Sequence, residues 1–174
     1  DESDVKRRGK ISLPDLCREH GISHPRTEVL SSAAQIDRCL ESYRCPVVIK
    51  GSIADARIAR SADQAKQHFH DLMDAWGYPL LLQEYLQGDE YNLAQVCDRP
   101  GHVLGAVGTR KFGVTAKGKG FAGITVDEPD LFAIGTRLAG ALRWVGGMEV
   151  EVLKEASSGR FFVLEINARF PAWI

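Results

Sequence analysis

The sequence predicts an α+β protein built from two small layers in which most strands pair antiparallel. Helical patterns are concentrated in the N-terminal half of the chain, whereas strands dominate the rest and enclose one further helix. The strand pairs within 91–111 and 148–167 are joined by the turn sequences DRPG and EASSG, which are typical of antiparallel hairpins. The polar turn QGDE at 87–90 marks the seam, so the predicted domains are 1–86 and 87–174.

The helices are indicated by end signals and by apolar residues at helical spacing. The first begins at Ser12 and ends at Gly21, and the next two begin with Ser-x-x-Gln capping boxes at Ser32 and Ser61. The last covers 130–144, where one side is apolar and two glycines follow. We therefore expect each helix to bury one face.

The predicted strands are short apolar segments bounded by turn residues. They cover 46–50, 80–86, 91–98, 102–111, 122–126, 148–153 and 161–167.

Composition excludes several classes of protein. The 174 residues are 44% hydrophobic and 26% charged, and 22 basic against 23 acidic side chains leave a net charge of −1. We therefore expect no nucleic-acid or membrane partner, because neither bulk positive charge nor an apolar run of about 20 residues is present. The cysteines form no Cys-x-x-Cys pair, which favours reduced thiols and a cytoplasmic location.

The last strand, in FFVLEINARFPAW, combines an apolar face with a polar one. Phe162, Leu164 and Ile166 alternate with Glu165 and Asn167, and Arg169 continues the polar series. Residues two apart on a strand share a face, so the Glu165 and Asn167 oxygens can converge on a metal ion.

The strand before it carries a third oxygen ligand. Glu151 lies fourteen residues upstream, across the predicted turn, and can face the same way as Glu165. Two carboxylates and an amide suit Mg²⁺ or Mn²⁺, and Arg169 would hold an anion beside the metal. The alternative is an exposed polar face on an edge strand, and Glu149 is expected to be only that.

Three further segments each admit two interpretations. Lys50 ends the strand PVVIK, where a lysine either extends into water or reaches a phosphate. The segment LLLQEYLQGDE can pair its backbone with a planar base and offer Glu90 to ribose hydroxyls, or it is a strand followed by a polar turn. The basic, glycine-rich stretch 109–123 is either a phosphate-binding loop or a solvated one.

Taken together, these segments resemble the ATP-grasp superfamily, in particular its carboxylate-amine ligases and carbamoyl-phosphate-synthase-like members. FFVLEINARFP resembles the family's Glu-x-Asn-x-Arg strand, and MEVEV, LLLQEYLQGDEY, PVVIK and KISLPDLCREHGISHP match other segments in the family's order. The resemblance covers essentially the whole chain. It implies an ATP-grasp fold in which two small α+β subdomains enclose a nucleotide cleft.

The resemblance also implies roles for individual residues. ATP and Mg²⁺ are the implied cofactors, with Glu151, Glu165 and Asn167 as metal ligands and Arg169 and Lys111 as catalytic cations. The residues implied to bind the nucleotide are Lys10, Lys50, Gln83, Glu84, Tyr85, Leu86 and Glu90.

The implied activity is transfer of the ATP γ-phosphoryl group to a carboxylate, giving an acyl phosphate that an amine attacks. The partners are then small-molecule carboxylates and amines, with a homodimer as the candidate assembly. The alternatives are an ATP-binding module without catalysis and activation of bicarbonate. Two departures stand out: the lysine strand is followed only by Gly51 instead of a long glycine-rich loop, and the substrate domain that usually precedes this fold is expected to be absent.

Overall fold

The computed structural model describes residues 9–114 and 120–171, which form four helices and nine strands. They pack as two compact units, one of residues 9–14 and 25–86 and the other of residues 15–24 and 87–171. The helices are α1 (Leu13–Glu19), α2 (Ala34–Glu41), α3 (Ala62–Trp76) and α4 (Pro129–Leu142). The strands are β1 (Thr27–Leu30), β2 (Val47–Gly51), β3 (Ala56–Ala59), β4 (Leu80–Glu84), β5 (Gly88–Arg99), β6 (His102–Val114), β7 (Gly120–Val126), β8 (Gly146–Glu155) and β9 (Phe161–Asn167).

The capping boxes have different outcomes in the structure. Ser61 caps α3 as predicted, because its side chain accepts from the Gln64 backbone N–H at 3.2 Å. Ser32 does not cap α2, which begins two residues later without a side-chain cap. Gln35 still performs its half of the box, since its Oε1 accepts from the Ser31 and Ser32 N–H groups at 2.6 and 3.1 Å.

One unit contains a four-stranded antiparallel sheet in the order β1-β4-β2-β3. Val47 and Ile49 on β2 and Leu80 and Leu82 on β4 point to one face, where Phe69 of α3 completes the buried cluster. The sequence did not predict β1 or β3, which are four residues long and lie at the sheet edges. Short edge strands carry little periodic signal, because they have only one neighbour to pack against.

The other unit contains a five-stranded antiparallel sheet in the order β7-β6-β5-β8-β9. Both predicted hairpins, β5-β6 and β8-β9, are present, and they are joined edge to edge through β5 and β8. Helix α4 packs on β5 and β6 and buries Leu131, Leu138 and Leu142. The antiparallel α+β class predicted from the sequence is therefore confirmed.

A bulge corrects the predicted facing of β9. Glu151 pairs with Glu165, but Val152 pairs with Val163, so Leu164 has no partner in the register. Val163 and Ile166 are buried whereas Leu164 is only partly buried. The strictly alternating series through Phe162, Leu164 and Ile166 was therefore wrong on the N-terminal side of the bulge.

The state of the cysteines and the length of the helices also bear on expectations from the sequence. Cys17, Cys39, Cys45 and Cys97 are all free thiols, and burial raises the pKa of the Cys17 thiol to about 12. Among the described helices, none is both long and apolar enough to cross a membrane.

Candidate functional site

One face of the five-stranded sheet gathers polar side chains from four strands. We call it the polar face and define it by Glu90 and Asn92 on β5, Lys111 on β6, Glu149 and Glu151 on β8, and Glu165 and Asn167 on β9. The register places Glu151 opposite both Asn92 and Glu165, and Glu149 opposite Asn167. Directly opposed residues of antiparallel strands point the same way, so the sheet itself brings these groups together.

Lys111 joins two carboxylates at one side of the polar face. Its Nζ lies 2.9 Å from Glu90 Oε2 and 3.2 Å from Glu151 Oε2, and its side chain is 9% exposed. Burial works against the charged ammonium, but attraction to Glu151 and the bond to Glu90 outweigh it, so the pKa of Lys111 is raised. Lys111 therefore remains a cation at the centre of this cluster.

Glu149 is the residue whose role the sequence did not indicate. It is only 3% exposed, so the expectation of an exposed polar position was wrong. Its Oε1 accepts from Asn92 Nδ2 at 2.9 Å, and its Oε2 accepts from Asn167 Nδ2 and Arg169 Nη1, each at 3.3 Å. A buried carboxylate needs such donors, because an unpaired charge would be costly.

Arg169 follows β9 and extends the polar face. One guanidinium nitrogen bonds Glu149, while the side chain as a whole is 59% exposed. An arginine held at one end by a buried carboxylate keeps its remaining N–H groups for an anion.

The predicted metal ligands lie on adjacent strands with a common facing. Glu151 is directly opposite Glu165, and Asn167 donates to Glu151 Oε1 at 3.1 Å. Within the described residues, no group of three or more His, Cys, Asp or Glu side chains is gathered around a single point. The donor set of two carboxylates and an amide nevertheless fits a hard cation that completes its coordination with water and phosphate oxygens.

The four-stranded sheet presents Lys50 and Gln83 on a common face. Lys50 pairs with Leu81 and Val48 pairs with Gln83, so both side chains point away from the cluster around Phe69. Gln83 is 3% exposed, and its Nε2 donates to Thr27 Oγ1 at 2.8 Å. The Thr27 hydroxyl in turn donates to the Pro25 carbonyl, so the Gln83 amide has a defined orientation.

In the segment implied to bind the nucleotide base, the side chains of Glu84, Tyr85 and Leu86 have different surroundings. The Glu84 carboxylate accepts from the Arg26 backbone N–H at 2.6 Å, while the Glu84 N–H donates to the Arg26 carbonyl at 2.9 Å. Glu84 is therefore occupied in holding β1 to β4. Tyr85 and Leu86 follow β4 without regular structure, and Tyr85 is exposed.

The remaining predicted residues lie near the boundaries of the described ranges. Lys10 is half-buried in the turn before α1 and belongs to the unit of the four-stranded sheet. In the basic stretch, Arg110 forms an ion pair with Asp89 at 2.8 Å. Lys117 and Lys119 lie outside the described residues.

The structure adds Asn92, Glu149 and Thr27 to the candidate residues. Asn92 is 7% exposed in the middle of a strand, and the rarity of asparagine in that setting could have identified it, as it did Asn167. Thr27 carried no such signal, because threonine is common in strands.

Comparison with known proteins supports an assignment of the fold. No family model matches the chain. A phosphoribosylamine–glycine ligase from Mycobacterium leprae is 30% identical over 98 residues, which are 51% of this chain and 23% of that protein.

Solved structures match far more of the chain at lower identity. The biotin carboxylase domain of Hydrogenobacter thermophilus 2-oxoglutarate carboxylase, solved with MgADP and bicarbonate, superposes with a TM-score of 0.79 at 16% identity over 95% of this chain and 40% of its own. D-alanine–D-alanine ligase from Bacillus anthracis, complexed with ATP, gives a TM-score of 0.71 at 16% identity over 92% of this chain and 55% of its own.

These neighbours are ATP-grasp ligases, and the chain has the ATP-grasp fold, as the sequence motifs led us to expect. The chain spans 23% of the curated relative and 40% and 55% of the two solved ones.

Proposed function

We propose that this chain is the nucleotide-binding and catalytic part of an ATP-dependent ligase that phosphorylates a carboxylate and passes the acyl group to an amine. The polar face carries the proposal: Lys111, Glu151, Asn167 and Arg169 converge there with Glu149 through hydrogen bonds of 3.1 to 3.3 Å. The ATP-bound and MgADP-bound neighbours with this fold support it.

In this proposal, each candidate residue has a role that follows from its side-chain chemistry. Glu151, Glu165 and Asn167 would hold Mg²⁺, which supplies charge neutralisation for phosphoryl transfer when bound. Lys50 and Lys10 would bind phosphate oxygens, Gln83 to Leu86 would contact the adenine, and Glu90 would bind the ribose hydroxyls. Glu90 would then exchange its bond to Lys111 for one to the sugar, and Lys111, which keeps its contact with Glu151, would approach the transferred group.

The proposed reaction has two steps. A substrate carboxylate oxygen attacks the γ-phosphorus, the bond from that phosphorus to ADP breaks, and ADP leaves. The amine then attacks the carbonyl carbon, inorganic phosphate leaves, and the nitrogen gives up a proton. Arg169 would orient the carboxylate, and Lys111 would stabilise the charge on the transferred phosphoryl oxygens.

Nucleotide binding is tested by thermal unfolding and titration calorimetry with Mg²⁺ and ATP. Occupancy at 100 times the dissociation constant should add about 2.7 kcal/mol to the free energy of unfolding. Glu165→Gln should lose this gain, whereas Glu41→Gln, an exposed change on α2, should keep it. The absence of any gain for the unaltered protein at millimolar ATP would reject the nucleotide site.

Catalysis is tested separately, because the chain spans only part of its relatives. The test measures ADP release with a panel of carboxylic acids and amines, including bicarbonate, which is present in the biotin carboxylase structure. ATP binding without turnover on any acid would favour the alternative of a binding module without catalysis. A cytoplasmic location and a homodimer complete the proposal, and light scattering measures the latter.

A further inference from the structure

Glu149 connects residues that the proposed function assigns to different tasks. Its two oxygens accept from Asn92, Asn167 and Arg169, which come from β5, from β9 and from the segment after β9. Both oxygens are thereby engaged by protein donors. A buried carboxylate in this position would act on a bound metal ion and a bound anion only through its neighbours.

The Asn167 amide takes its orientation from two carboxylates. Its Nδ2 donates to Glu149 Oε2 at 3.3 Å and to Glu151 Oε1 at 3.1 Å. Because an amide carries its donor and its acceptor on opposite branches, this arrangement turns Oδ1 away from both carboxylates. Oδ1 is the only atom of this side chain that can bind a cation.

The orientation of the Asn92 amide favours its hydrogen bond to Glu149 over any partner for its own oxygen. Its Nδ2 donates to Glu149 while its Oδ1 is buried without a hydrogen-bond partner in the described part of the chain. Leaving a buried acceptor unsatisfied costs about 1–3 kcal/mol. The Asn92 amide therefore stabilises the Glu149 carboxylate at the expense of its own oxygen. One oxygen of Glu149 is thus fixed by Asn92, and the other accepts from Asn167 and Arg169.

We infer that Glu149, supported by Asn92, is a positioning residue that sets the Asn167 amide for the metal and the Arg169 guanidinium for the substrate anion. The inference rests on the proposed function. Loss of an outer partner of a metal ligand typically lowers metal affinity about 10- to 100-fold, and we expect the same of Glu149→Gln. The glutamine keeps the shape but brings an N–H₂ group, so it cannot accept from all of the present donors.

The test combines two readouts. The first is the side-chain amide resonances of Asn167 in the protein without ligands, assigned by their loss in Asn167→Asp. The second is the affinity for Mn²⁺ in the presence of ADP, measured by electron paramagnetic resonance. Glu149→Gln should shift the amide resonances, speed their proton exchange and weaken Mn²⁺ at least 10-fold.

Gln95→Leu is the matched control. Gln95 is a buried amide on the same strand as Asn92, but it donates to the Gly135 carbonyl of α4 on the opposite face. It should destabilise the protein without moving the Asn167 resonances or the Mn²⁺ affinity. Should Glu149→Gln fail to fold, Asn92→Leu removes one support of Glu149 and should give smaller changes of the same sign.

The outcomes separate the inference from the proposed function. Unmoved Asn167 resonances in both the Glu149 and the Asn92 variants would overturn the inference, as would an equal loss of Mn²⁺ affinity in Gln95→Leu. If the unaltered protein binds neither Mn²⁺ nor ADP, the proposed function fails, and with it the role toward the metal. The amide resonances would still show whether Glu149 orients Asn167.

Discussion

The two faces of the five-stranded sheet differ in how their buried polar groups are hydrogen-bonded. On the face covered by α4, Leu93 lies among apolar side chains, and the Gln95 amide meets a single backbone carbonyl. On the polar face, Asn92 belongs to a network that includes Glu149, Asn167 and Arg169. Asn92 and Gln95 lie three residues apart on β5, so the same strand supplies a packing surface and a chemical one.

This contrast teaches that burial alone does not define a core residue. Gln95 and Glu149 are 2% and 3% exposed, yet one closes a helix–sheet contact and the other joins candidate ligands. A substitution on the helix face should therefore mainly lower stability, and a substitution on the polar face should mainly lower ligand affinity. The following predictions are given in order of their expected effect on stability.

The largest loss of stability is expected for Leu138→Ala on the helix face. Leu138 is fully buried between α4 and the sheet, and removing such a side chain leaves a cavity that costs about 2–5 kcal/mol. Urea unfolding measures the loss, and ATP titration of the remaining folded protein should give the affinity of the unaltered protein. A weakened ATP affinity would show that the two faces are not independent.

Lys111→Met on the polar face should cost less, about 1–3 kcal/mol. The change leaves Glu90 and Glu151 without their shared cation, but their side chains are 40% and 31% exposed and water reaches them. Because the pKa of Lys111 is raised in the folded state, its contribution is complete below the unfolded pKa of about 10.4 and disappears as pH rises through the folded pKa.

Unfolding measured from pH 7 to pH 11 tests this sign. The difference in unfolding free energy between the unaltered protein and Lys111→Met should be constant to about pH 10 and shrink above it. A difference that grows with pH would contradict the assignment of Lys111 as the protonated partner.

Glu165→Gln and Asn167→Ala should change stability by only about 0.5 kcal/mol, or even raise it, because these side chains contribute little to packing and Glu149 keeps Asn92 and Arg169 as donors without Asn167. Both should abolish Mg²⁺-dependent ATP binding, measured by calorimetry with and without Mg²⁺. A large fall in melting temperature with unchanged ATP affinity would show that these residues have a structural role, like those on the helix face.

The smallest stability effects are expected for Lys50→Met and Lys10→Met, which extend the comparison to the unit of the four-stranded sheet. Each should weaken ATP about 10-fold, as expected for losing one charge-assisted contact, and adenosine much less. Lys50 alone should also affect base affinity modestly. Titration of ATP, ADP and adenosine measures this, with Lys66→Met, a change of a partly exposed lysine on α3, as the control.

Much of this fold could be predicted from the sequence, and the exceptions have physical causes. Long helices with end signals, such as α3 with Ser61, and hairpins with strong turns were predictable, and so was the common facing of Glu151 and Glu165. The edge strands β1 and β3 and the bulge at Leu164 were not, because their formation depends on neighbouring strands.

Within the candidate site, the sequence did not show which polar side chains are buried. Glu149 and Glu151 have the same sequence pattern, and only the side-chain hydrogen bonds from Asn92 and Asn167 show that Glu149 is enclosed. The order of the donors around a carboxylate is a tertiary property. Sequence spacing could identify the strand but not the network.

The strand order also has a consequence for how the protein forms. The pairs β5-β6, β6-β7 and β8-β9 each join strands that are neighbours in sequence, but β5 and β8 meet across a long stretch of chain, since Glu149 lies 57 positions after Asn92. Closing so long a loop costs entropy before any contact repays it, so this pairing is expected late in folding. Asn92 and Glu149 lie on opposite sides of that junction, and an intermediate with both hairpins formed would still lack the site. Recovery of metal affinity during refolding should therefore lag behind recovery of strand content.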